Sequence, residues 1–167
     1  MLAAVLARAL IALVFYVSPG RFPVSFYYDF ARKYFREAKK DLERARRALG
    51  EGDYPEAVFH AQQCVEKAVK AMIEVKMEYV RNHGPALATV FARVFEREWR
   101  SEYGEVVDAL GWFTEYYTRS RYPFMLKGRV TSPDEFIDAR TAEEAVSRAE
   151  RVLKVAEEYL TEKRVLR

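Results

Sequence analysis

The sequence DYPEAVFHAQQCVEKAVKAMIEV, residues 53–75, carries the strongest structural signal in this chain. Its apolar side chains return every three or four positions, which is typical of a helix that buries one face. Asp53 and Glu56 have the spacing of a capping box, and Pro55 lies in the first turn, where its missing N–H is harmless. We predict a helix that starts after Asp53 and buries Val58, Ala61, Val65, Ala68, Met72 and Val75.

A second apolar stripe predicts the helix before this segment. It runs from Tyr27 to Leu49 at three- or four-residue spacing, and Gly50 and Gly52 follow it. Glycine adopts the left-handed conformation that ends many helices. Because only a short turn remains between the two helices, we expect them to pack antiparallel.

Further stripes downstream predict three more helices, near residues 87–95, 106–117 and 145–160. Ser101 and Thr141 precede the second and third of these and are the predicted N-terminal caps. Residues 119–138 contain two prolines and a glycine, which indicates a long loop, and such loops are often functional. No stretch alternates apolar and polar residues as a half-buried strand does.

These patterns predict an all-α fold, an antiparallel up-and-down bundle of four to five helices with an extra apolar N-terminal helix. A chain of 167 residues fits one domain. We expect residues 1–24 to form the N-terminal helix and a linker, and residues 25–167 to form the bundle domain.

The N-terminal segment is apolar from residue 2 to residue 17, except for Arg8. It is shorter than the roughly 20 residues that span a bilayer, although residues 9–17 resemble the hydrophobic part of a signal peptide. We favour a helix that packs on the bundle or on a second subunit. The expectation is therefore no membrane span and a cytoplasmic location.

The composition excludes several kinds of site. Cys64 is the single cysteine, so an intrachain disulfide and a cysteine-based zinc site are impossible, and we expect neither metal nor cofactor. Its apolar neighbours predict a buried, inert thiol. The formal net charge is only +3, which argues against a chain that is basic throughout. Amides are scarce, which is typical of proteins from hot environments.

Three segments together resemble the HEPN family (higher eukaryote and prokaryote nucleotide-binding). They are residues 32–54, the Ala-Gln-Gln and Glu-Lys pattern of residues 57–71, and Tyr117 to Pro123 followed by an alanine-rich last helix. The resemblance covers about residues 27–160. It implies a helical bundle that usually forms a homodimer, and family members are often encoded beside a minimal nucleotidyltransferase, which makes such an enzyme a possible partner.

Many members of this family are ribonucleases, often toxins, that use an Arg-x(4–6)-His motif. This chain departs from that pattern, because neither His60 nor His83 has an arginine five to seven positions before it. The resemblance therefore implies the fold without that nuclease site. A displaced site that uses His83 and Arg121 is the alternative.

Two groups of residues are candidate binding sites. Basic and aromatic residues of the predicted loop suit phosphate contact and base stacking, or else form a solvated loop: Arg119, Arg121, Tyr122, Lys127 and Arg129. Polar residues of the 53–75 helix could hold a nucleotide phosphate or a partner, or else form an ordinary surface face with ion pairs: Gln62, Gln63, Glu66, Lys67 and Lys70.

Our leading hypothesis is a non-catalytic HEPN-type homodimer that binds a nucleotide, RNA or a partner such as a minimal nucleotidyltransferase, in a toxin–antitoxin-like system. The first alternative is a metal-independent ribonuclease with the displaced site. The second is a purely structural interaction module.

Overall fold

The computed structural model describes residues 22–78 and 80–166. The N-terminal helix and linker that we predict for residues 1–24 lie outside these ranges up to residue 21. The elements in chain order are α1 (Val24–Glu51), α2 (Tyr54–Val75), α3 (Ala86–Phe95), a 3₁₀ turn (Glu96–Glu98), α4 (Tyr103–Phe113), α5 (Tyr116–Arg119), β1 (Phe124–Leu126), β2 (Arg129–Thr131), α6 (Pro133–Phe136) and α7 (Ala139–Glu162). The all-α bundle that the sequence predicts is confirmed.

The turn between α1 and α2 has the predicted chemistry. Gly52 adopts a φ of 79°, in the left-handed region, and its N–H bonds the carbonyl oxygen of Leu49 at 3.2 Å. Asp53 then caps α2, since its side chain accepts the N–H of Glu56 at 3.3 Å. A side chain that satisfies a free N–H at a helix start stabilises that helix by about 1 kcal/mol.

Three long helices form the centre of the bundle. α1 packs along α2, and α7 packs on α2 and, over a shorter stretch, on α1. Arg46 of α1 pairs with Glu150 at 2.8 Å, while Arg32 donates to the carbonyl oxygen of Val165 at 3.2 Å, so α7 runs antiparallel to α1. Buried alanines on all three helices allow their backbones to approach closely. α4 covers part of α2 and α7.

Cys64 lies in this core on α2 and is fully buried, as the sequence predicts. Burial raises the pKa of its thiol to about 12, because an apolar surrounding disfavours the thiolate. The thiol therefore stays protonated in the folded protein.

The segment predicted as a long loop is more ordered than expected. Its middle forms an antiparallel hairpin in which Met125 pairs with Val130. Lys127 and Gly128 make the two-residue turn with φ values of 48° and 80°, which suits the right-handed twist of a hairpin. Three-residue strands are too short to show an alternating pattern, so the sequence does not indicate them.

The predicted N-terminal caps of α4 and α7, Ser101 and Thr141, were wrong. α4 begins at Tyr103 without a side-chain cap, and the hydroxyl of Ser101 instead bonds Glu102 at 3.1 Å. α7 is capped by Asp138, whose carboxylate accepts the N–H of Thr141 at 2.8 Å. Asp is as good a cap as Thr, and here it comes first in the chain.

Within residues 22–78 and 80–166, no helix combines the length and the apolar character needed to cross a bilayer. The same ranges contain no group of three or more acidic, histidine or cysteine side chains arranged to hold a metal ion.

Candidate functional site

A row of polar residues runs along the buried side of α2. Gln62, Glu66, Lys70 and Glu74 are one helical turn apart, and each is at most 4% exposed. Buried polar groups need partners, since leaving one unsatisfied costs about 1–3 kcal/mol. Part of this row finds its partners in the segment that leads from α2 to α3.

Glu66 and Lys70 both reach His83 in that segment. The carboxylate of Glu66 accepts the backbone N–H of Gly84, and its second oxygen lies 3.5 Å from His83 Nδ1. Lys70 Nζ lies 3.0 Å from the same nitrogen. When the Lys70 ammonium donates to Nδ1, the ring proton of His83 resides on Nε2. The His83 side chain is 63% exposed, so that N–H is available to a ligand.

Lys70 and Glu74, the next residue of the buried row, have shifted pKa values. Burial lowers the pKa of Lys70, and the nearby Glu66 carboxylate opposes the shift. Burial raises the pKa of Glu74 to about 7, although the Val80 N–H and the Lys70 ammonium act in the opposite direction. A carboxyl group with such a pKa changes its charge near neutral pH.

Tyr117 of α5 connects this cluster to the second candidate arginine. Its ring packs on Gly84, where an added Cβ would lie 3.2 Å from a ring carbon. Its carbonyl oxygen accepts two hydrogen bonds from Arg121, from Nε at 3.2 Å and from Nη2 at 2.7 Å. Tyr117 therefore contacts both Arg121 and Gly84, the residue that follows His83.

Three aromatic rings hold the guanidinium of Arg121. The centroids of Phe59, Tyr117 and Tyr122 lie 5.4, 5.1 and 5.6 Å from its Cζ. Such cation–π contacts fix a long side chain without removing its charge. Arg121 is exposed, and no residue that the structure describes accepts a hydrogen bond from its Nη1. This nitrogen can contact an external anion.

The cleft between α2, α4 and Tyr117 is narrow. It is bounded by Gln62, Glu66, Gly84, Thr114 and Tyr117 and has about 10 Å³ of space for water-sized molecules. That volume holds about one water. A ligand the size of a nucleotide must therefore bind on the open side, where His83 and Arg121 are exposed.

The other predicted loop residues lie apart from this cluster. Arg119 pairs with Glu115 at 3.0 Å and stacks on Phe124 and Phe136, towards the hairpin. Lys127 occupies the hairpin turn and Arg129 lies on β2, and both are exposed. Of the five predicted loop residues, the structure brings only Arg121 and Tyr122 to the His83 side.

The predicted polar face of α2 is also divided. Gln63 donates to Gln62 at 2.8 Å, so those two amides stay together. Lys67 instead bonds the buried carboxylate of Asp41 on α1, which also accepts from Arg44 at 2.7 Å. Lys67 thus contacts α1, whereas Lys70 contacts His83.

Sequence reasoning missed three residues of this region, which are Asp41, Phe59 and Tyr117. A signal existed for Asp41, because it lies on the same apolar stripe as Ala38 and Ala45 and had to be buried. Phe59 and Tyr117 lie in segments that resemble the family, but their helical spacing alone is that of ordinary core residues.

We expect Gly84→Ala to destabilise the protein by about 1–2 kcal/mol. The residue has a φ of 58°, which a side chain disfavours, and the new methyl group would press on Tyr117. Urea unfolding measures the loss. Gly104→Ala is the matched control, since Gly104 is helical and has open space around its Cβ position. An equal effect at both positions would contradict the packing of Gly84 on Tyr117.

Comparison with known proteins places this geometry in a family. The HEPN domain model matches residues 31–159. The chain is 32% identical over 137 residues to "Putative toxin MJ1304" of Methanocaldococcus jannaschii, covering 80% of this chain and 90% of that protein.

Two solved structures are also similar. TT1696 from Thermus thermophilus has 30% identity and a TM-score of 0.66, over 78% of this chain and 98% of its own. ST0689, described as an archaeal HEPN homologue, has 27% identity and a TM-score of 0.59, over 77% and 95%. The match covers Glu66 of α2 and the two segments that carry His83 and Arg121, and this chain belongs to the HEPN family.

Proposed function

We propose that this HEPN protein binds RNA and contacts its phosphates through His83 and Arg121. The observation that supports the proposal most is the position of Tyr117, which packs on Gly84 and accepts both hydrogen bonds from Arg121. An imidazole N–H and a guanidinium on one surface are suitable donors to a phosphate. Tyr122 lies under the guanidinium, and its side chain offers an exposed ring for base stacking.

The proposed RNA-binding form is a homodimer, as the family resemblance implies. In the single chain the cleft has room for about one water, and His83 and Arg121 are exposed outside it. A second copy would cover this exposed side and enclose the RNA. The toxin name of the relative supports a role in a toxin–antitoxin-like pair. A minimal nucleotidyltransferase is then the partner to test, and a shift of this protein's elution volume in excess enzyme is the expected result.

We expect Arg121→Ala to weaken binding of a single-stranded RNA about tenfold, because one phosphate contact with a charged donor contributes about 1.4 kcal/mol or more. Arg121→Lys keeps the charge but loses the fork, so it should recover only part of the affinity. Fluorescence anisotropy at fixed salt measures both. Arg47→Ala, which removes an exposed arginine of α1, is the control. Equal affinities for Arg121→Ala and Arg47→Ala would contradict the proposal.

A metal-independent ribonuclease is the second candidate, and the contact of His83 with Lys70 and Glu66 favours it. Against it, the described cluster offers one exposed imidazole, since His60 lies elsewhere, between Asp41 and Glu56. Incubation of labelled RNA with a chelator distinguishes the two. Cleavage that disappears in His83→Ala would establish the ribonuclease, and intact RNA would leave binding alone.

A further inference from the structure

We infer that a basic groove on the N-terminal half of α1 is a second RNA contact, which holds the phosphate backbone of a single strand. This inference rests on the proposed RNA binding and extends it to a separate surface. The groove has a volume of about 360 Å³, against about 10 Å³ in the central cleft. Its charged lining consists of Arg32, Lys33, Arg36, Lys39 and Asp29.

The lining of the groove is strongly basic. Four of the 28 Lys and Arg residues line it, together with one of the 25 Asp and Glu residues. Four cations and one carboxylate give this lining a formal charge of +3. A local excess of positive charge attracts polyanions.

Three of the four cations remain available for an external anion. Lys33 has no carboxylate oxygen within 4.0 Å in the part of the chain that the structure describes. Lys39 lies over the Phe35 ring, 5.4 Å from its centroid, and Arg36 has only a 3.9 Å contact with Glu37. Exposed pairs at that distance contribute little. Arg32 is different, because it bonds Asp29 and the carbonyl oxygen of Val165.

The spacing of the free cations suits a nucleic-acid strand. Lys33, Arg36 and Lys39 follow one another at three-residue steps and span about 9 Å of helix axis, at about 1.5 Å per residue. Such a row of cations can follow the charged backbone of a single strand. The N-terminal half of α1 lies beside the C-terminal half of α2, because the two helices are antiparallel neighbours. That half of α2 carries Lys70, which contacts His83, so the groove and the His83 site belong to the same end of the bundle.

The experiment compares two triple variants that lose the same charge. The groove variant carries Lys33→Gln, Arg36→Gln and Lys39→Gln, because glutamine keeps helix propensity and removes the charge. The control variant carries Arg47→Gln, Arg140→Gln and Lys154→Gln, three exposed positions outside the groove. Thermal unfolding by circular dichroism establishes that both are folded. Binding of a single-stranded RNA of about 20 nucleotides is then measured across about 50–200 mM salt.

The groove variant is expected to bind this RNA about tenfold more weakly at the lowest salt. The slope of log K against log salt should shrink by about 2, since three lost contacts each contribute about 0.7 for a single strand. The control variant should keep the slope of the natural chain. A tetranucleotide should lose less affinity in the groove variant than the longer RNA does, because it is too short to occupy both surfaces.

Other outcomes separate the two proposals. RNA binding that depends on Arg121 but shows the same salt slope in both triple variants would overturn the groove alone. Failure of the natural chain to bind any RNA would overturn both proposals. A polyglutamate peptide of about 20 residues serves as the competing polyanion. If it binds as tightly as RNA and loses the same affinity in the groove variant, the groove is a surface for acidic proteins.

Discussion

Glu74→Gln is expected to be more favourable to folding above neutral pH than in acid. The difference in unfolding free energy between the variant and the natural chain should be about 3 kcal/mol larger at the higher pH. Glu74 is fully buried, and burial raises its pKa from 4.5 to about 7. A shift of that size corresponds to about 3 kcal/mol, at about 1.4 kcal/mol per pKa unit. Glutamine has the same shape as the protonated side chain and carries no charge at any pH.

The sign follows from the raised pKa. A folded-state pKa above the unfolded value means that Glu74 contributes its stability in full below about pH 4.5. That contribution is lost as the pH rises through about 7, because the folded protein must then hold a buried carboxylate. The free energy of unfolding of the natural chain should therefore fall between about pH 4.5 and about pH 7. The glutamine variant has no carboxyl group at this position, so it should not show this fall.

Urea unfolding at about pH 4 and about pH 8 tests this expectation, since the difference between the variant and the natural chain isolates one side chain. Glu157→Gln on the exposed face of α7 is the matched control and should show no such change between the two pH values. A constant difference between Glu74→Gln and the natural chain would show that Glu74 is not held protonated by burial.

Asp41→Asn is expected to have the opposite dependence on pH. Burial raises the pKa of Asp41, but hydrogen bonds from Lys67 and Arg44 outweigh it and hold the pKa below its usual value. Removal of one partner from a buried pair costs about 3–5 kcal/mol. Lys67 and Arg44 are 28% and 46% exposed and can turn to water. We therefore expect a loss of about 2–3 kcal/mol at pH 7.

Because the folded pKa of Asp41 is depressed, the stability that it contributes is present above its ordinary pKa of 3.8 and is lost as the pH falls through the folded value. The variant and the natural chain should thus converge in strong acid. Unfolding by urea from pH 7 downwards measures the convergence. Glu43→Gln, two residues along the same helix and exposed, is the control. A loss that persists in acid would indicate altered packing and not a lost ion pair.

The bundle could be predicted because its information is local. Each long helix repeats apolar residues at the helical period, and Gly52 and Asp53 mark the first turn through their own conformational preferences. The hairpin could not be predicted in this way. Met125 and Val130 are apolar but exposed, while Thr131 is polar but buried, so the two short strands do not alternate apolar inside with polar outside.

The candidate site was only partly predictable. Lys67 and Lys70 lie about 60° apart on α2, at about 100° per residue, so the period assigns them to one side of the helix. The helical period does not show that Lys67 contacts α1, whereas Lys70 contacts the segment before α3. Arg121 bonds Tyr117 within one helical turn, but Tyr117 packs on Gly84, which lies more than 30 positions earlier, and no local pattern records that second contact.

The burial of Cys64 gives this protein an internal reporter of its own opening. It is the one thiol in the sequence, and it lies on the helix that packs against both α1 and α7. A maleimide reacts only with a cysteine that is deprotonated and accessible. While these helices remain together, Cys64 is neither, because it is buried and its thiol stays protonated. The labelling rate therefore counts how often the three central helices separate, without any engineered probe.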